Sequence, residues 1–289
     1  MLNRKSFIKQ SIGLGTGFFV TSYLGAKPFK AKKKKFTIFH TNDIHSRIVP
    51  FLENDAKYPN QGGLIALAKL YTLEKEKVEN SILLDCGDVF QGTPYFNFFK
   101  GKIEYELMSK MGYTATTLGN HDFDNGIVGL QNVKKHRNFE IICSNYDIEN
   151  SPLSKDVITH KILIINGITI GLIGLGINPE GLINLDNCKG ITYKDPVQTA
   201  NELAKKLKDK EKCDVVICIS HLGLSYKNDK VCDTILAKKS ANIDVIIGGH
   251  THSFLDAPMQ LKNSLNNQII VNQAGWSALK LGQINLELS

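Results

Sequence analysis

Five short apolar runs in this chain each end in polar residues of the kinds that bind metal ions, and this repeated pattern restricts the fold. The runs are rich in β-branched and aliphatic residues, which is typical of buried strands. Several segments between them carry apolar residues at helical three-and-four spacing. The pattern therefore predicts sheets with helical crossovers. The polar residues at the five ends are Asp43 with His45, Asp88, Asn120 with His121, His221, and His250 with His252.

From Phe36 onward, strands and helices are expected to alternate. The expected strands are 36–40, 81–86, 114–118, 139–144, 214–220, 244–247, 268–271 and 281–288. Helices are expected after Gly63, over 102–111, and from 196 to about 210 with Asp195 as the N-terminal cap. A hairpin is expected over 161–175, with Asn166 and Gly167 as its turn. Strands connected in this way end at a shared edge, so the polar residues are expected to meet in one cleft.

Taken singly, each polar residue has an ordinary structural explanation. Asp43 could cap a turn, His221 could be a buried histidine with a hydrogen-bond partner, and Asn120 could belong to a Gly-Asn turn. Five strand ends of the same character instead favour a metal site. Four imidazoles, two carboxylates and one amide are too many ligands for one tetrahedral ion. The set therefore predicts two divalent metal ions with open positions for water and substrate.

In this combination and order, the motifs resemble the calcineurin-like metallophosphoesterases. They are Asp43-x-His45, Gly87-Asp88, Gly119-Asn120-His121-Asp122, His221 and Gly249-His250-Thr251-His252. The longer stretches 40–45, 87–93 and 119–124 narrow the resemblance to the 5′-nucleotidase and UDP-sugar hydrolase family, and it covers about residues 36–288. It implies an α/β fold of four layers, α/β/β/α, in which two packed β-sheets are flanked by helices.

The resemblance also implies a role for each residue. The residues implied to hold one ion are Asp43, His45 and His252, and those implied to hold the other are Asn120, His221 and His250, with Asp88 bridging the two. His121, oriented by Asp124, would stabilise the transition state or assist the leaving oxygen. The implied reaction is hydrolysis of nucleotide phosphoesters by a metal-activated water, with Mn, Zn, Fe or a similar metal as the cofactor.

The net charge of +7 does not indicate a nucleic-acid partner, because the basic residues are concentrated at the start of the chain. Residues 1–35 hold nine Lys and Arg and no acidic residue, which leaves a net charge of −2 on residues 36–289. Residues 1–31 have the layout of an export signal that resembles a twin-arginine signal, with Arg4 and Lys5 at the paired position. Residues 32–35 are expected to be a Lys-rich linker, and 36–289 the catalytic domain. The expected location is the periplasm or the surface of a bacterial cell, with the signal either cleaved or kept as a membrane anchor.

The six cysteines show no CxxC pair and no zinc-finger spacing. Cys86, Cys143 and Cys218 lie in apolar runs and are expected to be small buried hydrophobic residues. The remaining three, Cys188, Cys213 and Cys232, could pair in an oxidising compartment.

The resemblance ends with the first domain of typical family members, which continue into a second domain that binds the nucleotide base. One expected partner is therefore a separate nucleotide-binding C-terminal-domain protein, and the alternative is an enzyme that acts alone on less particular phosphoesters. The alternative activities expected for the same metal centre are those of a cyclic-nucleotide phosphodiesterase, a sulfur-ester hydrolase and a broad-specificity phosphatase. A non-catalytic scaffold is disfavoured, because no ligand position is lost and unused buried polar clusters are costly.

Overall fold

The computed structural model describes residues 34–288, and the leader expected at 1–31 lies outside them. The strands are β1 (Lys34–Thr41), β2 (Ser81–Asp85), β3 (Ala115–Thr116), β4 (Glu140–Ile142), β5 (Tyr146–Asp147), β6 (Val157–Ile158), β7 (His160–Ile165), β8 (Ile168–Leu175), β9 (Thr192–Tyr193), β10 (Val215–Ser220), β11 (Val245–Gly248), β12 (Met259–Lys262), β13 (Gln268–Gln273) and β14 (Gly282–Leu288). The α-helices are α1 (Leu64–Lys75), α2 (Pro94–Phe99), α3 (Lys102–Met111), α4 (Gly126–Val133), α5 (Pro196–Asp209) and α6 (Asp233–Lys239).

Two six-stranded sheets form the centre of the fold. The first has the strand order β14-β1-β2-β3-β4-β6, and the second has the order β12-β13-β11-β10-β8-β7. In the first sheet β1, β2, β3, β4 and β6 are parallel, and β14 pairs with β1 in the antiparallel direction. In the second, β8, β10, β11 and β13 are parallel, with antiparallel strands at both edges. The short pair β5–β9 stands apart from both.

Three apolar cores show that the layers are helix, sheet, sheet and helix. The core between the sheets contains Ile38 and Leu84 from the first sheet and Ile170 and Ile217 from the second. A second core joins the outer face of the first sheet to α1, α3 and α4, and a third joins the outer face of the second sheet to α5 and α6. β10 is buried along its whole length, because one face packs against the other sheet and the opposite face packs against helices. A strand covered on both faces is a nearly continuous apolar run, as this one is. The predicted four-layer α/β/β/α fold is confirmed.

The elements with strong local signals are present. Asp195 caps α5, because its Oδ1 accepts the Gln198 N–H at 2.8 Å. Asn166 and Gly167 both have positive φ (49° and 72°), as the tight turn between β7 and β8 requires. β1 begins at Lys34, so the last two residues of the expected linker at 32–35 lie in this strand.

The expected strand at 114–118 is wrong in its length, because β3 contains only two residues. Thr114 and Thr117 still donate their backbone N–H groups to the carbonyl oxygens of Leu83 and Asp85, at 2.8 and 3.3 Å. Beyond them the chain turns, and the Gly119 N–H donates to Asp122 Oδ2 at 2.8 Å. Sequence periodicity also missed α2, α4 and α6, which have eight residues or fewer. Such short helices display too few turns for a periodic pattern.

All six cysteines are buried and free, including the three that could have paired. Within residues 34–288, no helix has the length and apolar character needed to cross a membrane.

Candidate metal centre

The carboxyl ends of the parallel strands in both sheets meet at one cleft of about 350 Å³. Asp43 and His45 follow β1, Asp88 follows β2, and Asn120 and His121 follow β3. His221 follows β10, and the loop after β11 carries His250 and His252. Asp124, the last of the nine residues singled out from the sequence, hydrogen-bonds to His121. All nine therefore lie together. The residues of this group that line the cleft are His45, Asp88, Asn120, His121, His250 and His252.

The first cluster consists of Asp43, His45 and His252, whose three candidate ligand atoms lie within 4.8 Å of one another. The Nε2 atoms of the two imidazoles lie 3.0 Å apart. Asp43 Oδ1 is 3.2 Å from His252 Nε2 and 3.9 Å from His45 Nε2. Burial lowers the pKa of His45, so this imidazole is held in the neutral form that binds metals.

The second cluster consists of Asp88, His221 and His250, with Asn120 beside them. Asp88 Oδ2 lies 3.2 Å from His221 Nε2, and His250 Nδ1 lies 2.9 Å from Asn120 Oδ1. The same Asp88 oxygen is 3.9 Å from His45 Nε2 in the first cluster. Asp88 is therefore the carboxylate that lies between the two clusters.

The state of His221 tests whether these residues fit a metal ion. Its Nδ1 contacts the carbonyl oxygen of Cys86 at 2.6 Å, and a carbonyl can only accept, so Nδ1 carries a proton. Nε2 then points at Asp88 from a fully buried position without a hydrogen bond among the described residues. A histidine whose second nitrogen donates to a backbone carbonyl is the usual arrangement of a metal ligand.

The pKa shifts of His221 and His250 also indicate that the second cluster fits a metal ion. Burial alone would lower the pKa of His221, but the Asp88 carboxylate raises it to about 10. Burial also lowers the pKa of His250 to about 4, with the charge of His221 acting in the same direction. The carboxylate thus stabilises positive charge at this point, and divalent cations would supply it. The donor set of carboxylates, imidazoles and one amide suits two such ions.

The backbone around the centre is unusual. Five of the nine residues have a left-handed φ although none is glycine: Asp43 (52°), His45 (50°), Asp88 (55°), His250 (72°) and His252 (50°). Such conformations cost of order 1–3 kcal/mol each in sites of this kind and persist only where surrounding contacts hold them. Asp43-x-His45 and His250-x-His252 are therefore not extended segments, although both follow strands.

His121 stands at the edge of the centre, with its ring 5.3 Å from that of His45. Its Nδ1 lies 2.9 Å from Asp124 Oδ2, which leaves Nε2 free of that contact. The hydrogen bond with Asp124 raises the pKa of His121, although partial burial opposes it. The geometry thus places His121 beside the clusters with an acidic partner that orients its ring.

Asp122, which belongs to the Gly119–Asp122 motif and has no role implied by the sequence, is buried beside the centre. Its buried carboxylate accepts three backbone N–H groups, from Asp88 (3.0 Å), Val89 (3.1 Å) and Gly119 (2.8 Å). Burial and the charge of Asp88 raise its pKa to about 7. Asp122 therefore ties the loop that carries Asp88 to the loop that carries Asn120.

Two further residues of the cleft were also missed. Arg47 lies over the ring of Phe51, with Cζ 4.0 Å from the centroid, and its buried Nε has no hydrogen bond among the described residues. Trp276, the single tryptophan of the chain, stacks parallel to His252 at 5.4 Å with an interplanar angle of 2°. Both line the cleft. The spacing of Arg47, two residues after His45, is a sequence signal for it, whereas nothing near Trp276 in the sequence indicates its position.

Comparisons with known proteins agree with this geometry. A snake venom 5′-nucleotidase of Crotalus adamanteus is 30% identical over 272 residues, which are 87% of this chain and 45% of that protein. The chain thus spans less than half the length of this curated relative.

Two solved structures are also similar. A 5′-nucleotidase precursor from Thermus thermophilus superposes with a TM-score of 0.76 at 27% identity, covering 87% of this chain and 51% of that chain. The calcineurin-like phosphoesterase YfkN of Bacillus subtilis gives a TM-score of 0.74 at 26% identity and covers 89% of this chain and 86% of that one. The family model for calcineurin-like phosphoesterase matches residues 36–254, more than half of the chain. This chain therefore belongs to the calcineurin-like phosphoesterase family.

Proposed function

We propose that this chain is an exported, two-metal phosphoesterase that hydrolyses nucleotide phosphoesters, with residues 36–289 as its catalytic domain. The observation that carries the proposal is the position of Asp88 between two clusters of metal-binding side chains in one cleft. The similarity of the chain to 5′-nucleotidases supports nucleotides as the substrate class. The composition of residues 1–31 supports export, which fractionation of the source cells tests directly.

The proposed ligand roles divide the site into two halves. Asp43, His45 and His252 would hold one divalent ion, and Asn120, His221 and His250 would hold the other, with Asp88 available to both. When bound, two such ions activate a water and neutralise charge on the phosphoryl group. Asp43, Asp88 and His221 are buried, and low exposure to solvent strengthens the charge interactions of these three ligands.

Three further residues have roles in this proposal, two toward the substrate and one toward a ligand. Arg47 lines the cleft with its Nε buried, and its planar fork of N–H donors matches the oxygens of a phosphate group. His121 keeps its proton through the hydrogen bond to Asp124 and delivers it to the leaving oxygen. Trp276 restricts rotation of the His252 ring by stacking on it.

Metal removal tests the proposal. Dialysis against a chelator is expected to abolish hydrolysis of phosphoesters, and Mn²⁺ or Zn²⁺ is expected to restore it, because the proposed reaction needs the two ions to activate its water. Rates are measured with AMP, UDP-glucose, a cyclic nucleotide, an aryl phosphate and a bis-aryl diester, with and without a nucleotide-binding partner domain. Preference for AMP or UDP-glucose supports the proposal, while preference for the cyclic nucleotide or the diester supports the alternative activities on this centre. Full activity in chelator would refute the two-metal reaction, and no activity with any metal would support a scaffold.

Replacing Asp124 with asparagine is expected to move the alkaline limb of the kcat–pH profile to lower pH. The Asp124 carboxylate raises the pKa of His121, and the protonated imidazole is the form that donates. Activity therefore falls as pH rises through the pKa of His121. Without the carboxylate this pKa drops, so the fall begins at lower pH.

The control for this change is Asp147→Asn, which removes an exposed carboxylate paired with Lys194 at 2.9 Å. Its pH profile is expected to match that of the unmodified protein. An alkaline limb at the same pH in the Asp124 variant would show that Asp124 does not set the protonation of His121.

A further inference from the structure

The loop that carries His250 and His252 is held in a conformation that its residues do not favour. Both histidines have left-handed φ, at 72° and 50°. Residues with a Cβ atom adopt this region seldom, and they stay there when surrounding contacts hold them. The contacts that hold this loop therefore decide where both imidazoles point.

One side chain, that of Gln273 at the end of β13, holds this loop at both ends. Its Nε2 donates to the carbonyl oxygen of Gly249 at 2.7 Å, directly before the first histidine. Its Oε1 accepts the backbone N–H of Ser253 at 3.1 Å, directly after the second histidine. The same oxygen accepts the hydroxyl of Thr251, which lies between the two histidines, at 3.1 Å.

Gln273 is itself anchored. Its Nε2 also donates to Asp233 Oδ2 at 3.2 Å, and Asp233 Oδ1 accepts the hydroxyl of Ser220 at 2.5 Å. Gln273 and Asp233 are fully buried. A primary amide has two donor hydrogens and two acceptor sites, and all four are used here. A fully satisfied buried amide has one favoured orientation, so the loop is fixed relative to β10, β13 and α6.

We propose that Gln273 is a positioning residue that sets the geometry of one histidine in each ligand cluster, so that the affinity for both metal ions depends on it. This inference rests on the two-metal site proposed above. His252 belongs to the first cluster and His250 to the second, and the short backbone between them moves as a unit. Without the amide, the loop relaxes from its left-handed conformation and displaces both imidazoles together. Gln273 acts through the loop and is not among the residues that line the cleft.

The test compares Gln273→Met, which keeps the length of the side chain and removes its amide, with Asn272→Leu. Asn272 is a matched control, because it is the preceding residue of β13, is also buried and hydrogen-bonds to His40 Nε2 at 2.9 Å. Successive strand residues face opposite sides, so its loss leaves the histidine loop untouched. Mn²⁺ affinity and stoichiometry are measured by titration of chelator-treated protein, together with thermal unfolding in chelator and in saturating Mn²⁺.

Both variants are expected to unfold at a lower temperature in chelator, because each loses a buried hydrogen bond. Only the Gln273 variant is expected to bind both ions more weakly, by roughly tenfold to a hundredfold, the usual effect of losing a residue that orients metal ligands. Its stabilisation by Mn²⁺ shrinks accordingly. If the Gln273 variant does not fold, Thr251→Val, which removes one contact to the amide, is expected to give a smaller loss at both ions.

Unchanged affinity in a folded Gln273 variant, or loss at one ion alone, would overturn the inference while leaving the two-metal proposal intact. Equal weakening in the Asn272 control would also overturn it, because the effect would then follow general stability. If the unmodified protein binds no Mn²⁺, Zn²⁺ or similar ion, the proposed function fails and the inference fails with it.

Discussion

Replacing Asp88 with asparagine is expected to lower the rate of phosphoester hydrolysis by at least about a thousandfold. The Asp88 carboxylate is within reach of both clusters, 3.2 Å from His221 Nε2 and 3.9 Å from His45 Nε2. Losing an ion at either position removes several kcal/mol of charge stabilisation in the transition state. A loss of about 4 kcal/mol corresponds to roughly a thousandfold, since each 1.36 kcal/mol changes the rate tenfold.

Asparagine is the informative substitution because it keeps the shape of the side chain and an oxygen that can accept the backbone N–H of His121, as Asp88 Oδ1 does at 2.8 Å. Metal content after gel filtration is expected to fall along with the rate. Asp156→Asn is the control, since Asp156 is also buried but pairs with Lys134 away from the cleft. A variant of Asp88 with full metal content and an unchanged rate would show that this carboxylate is not shared by two ions.

Replacing His121 with alanine is expected to lower kcat by roughly a hundredfold to ten-thousandfold, the range for loss of a general acid. Metal content is expected to stay unchanged, because His121 belongs to neither ligand cluster. The loss should be larger for a nucleoside 5′-phosphate than for a nitrophenyl ester, because a good leaving group needs no proton. Steady-state rates on the two substrates, with metal content measured on the same samples, check both expectations.

His136→Ala provides the control for His121. His136 Nδ1 contacts Glu106 Oε1 at 2.9 Å, and its loss is expected to leave rate and metal content unchanged. An equal loss on both substrates would assign His121 to stabilising charge in the transition state rather than to proton donation. An unchanged rate on both would remove it from the catalytic machinery.

The polar residues at the strand ends could be found from the sequence because their signal is local. Apolar runs predict strands, and a histidine or aspartate directly after a run is readable without knowledge of the fold. The hairpin at Asn166 and the cap at Asp195 were predictable for the same reason, since each depends on a few neighbouring residues.

The residues that orient the ligands could not be found in this way. Gln273 lies 24 residues after Gly249 along the chain, and its hydrogen bonds exist only because β13 pairs with β11. Asp122 hydrogen-bonds to Asp88 and Val89, which precede it by 34 and 33 residues along the chain. Contacts of this range depend on sheet order, which apolar periodicity does not encode.

The sequence by itself determined the alternation of strands and helices, the acidic balance of residues 36–289, and the residue types available for chemistry at each strand end. The resemblance carried by the motifs already implied two packed sheets and a shared Asp88. Only the tertiary structure decided their geometry, with the carboxyl ends of both sheets at a single cleft and Asp88 Oδ2 3.2 Å from His221 and 3.9 Å from His45. It also decided the left-handed backbone at five of the site residues. The reason is physical, because a strained conformation is held by contacts with distant segments such as Gln273 and Asp122, and those contacts form only when the fold is complete.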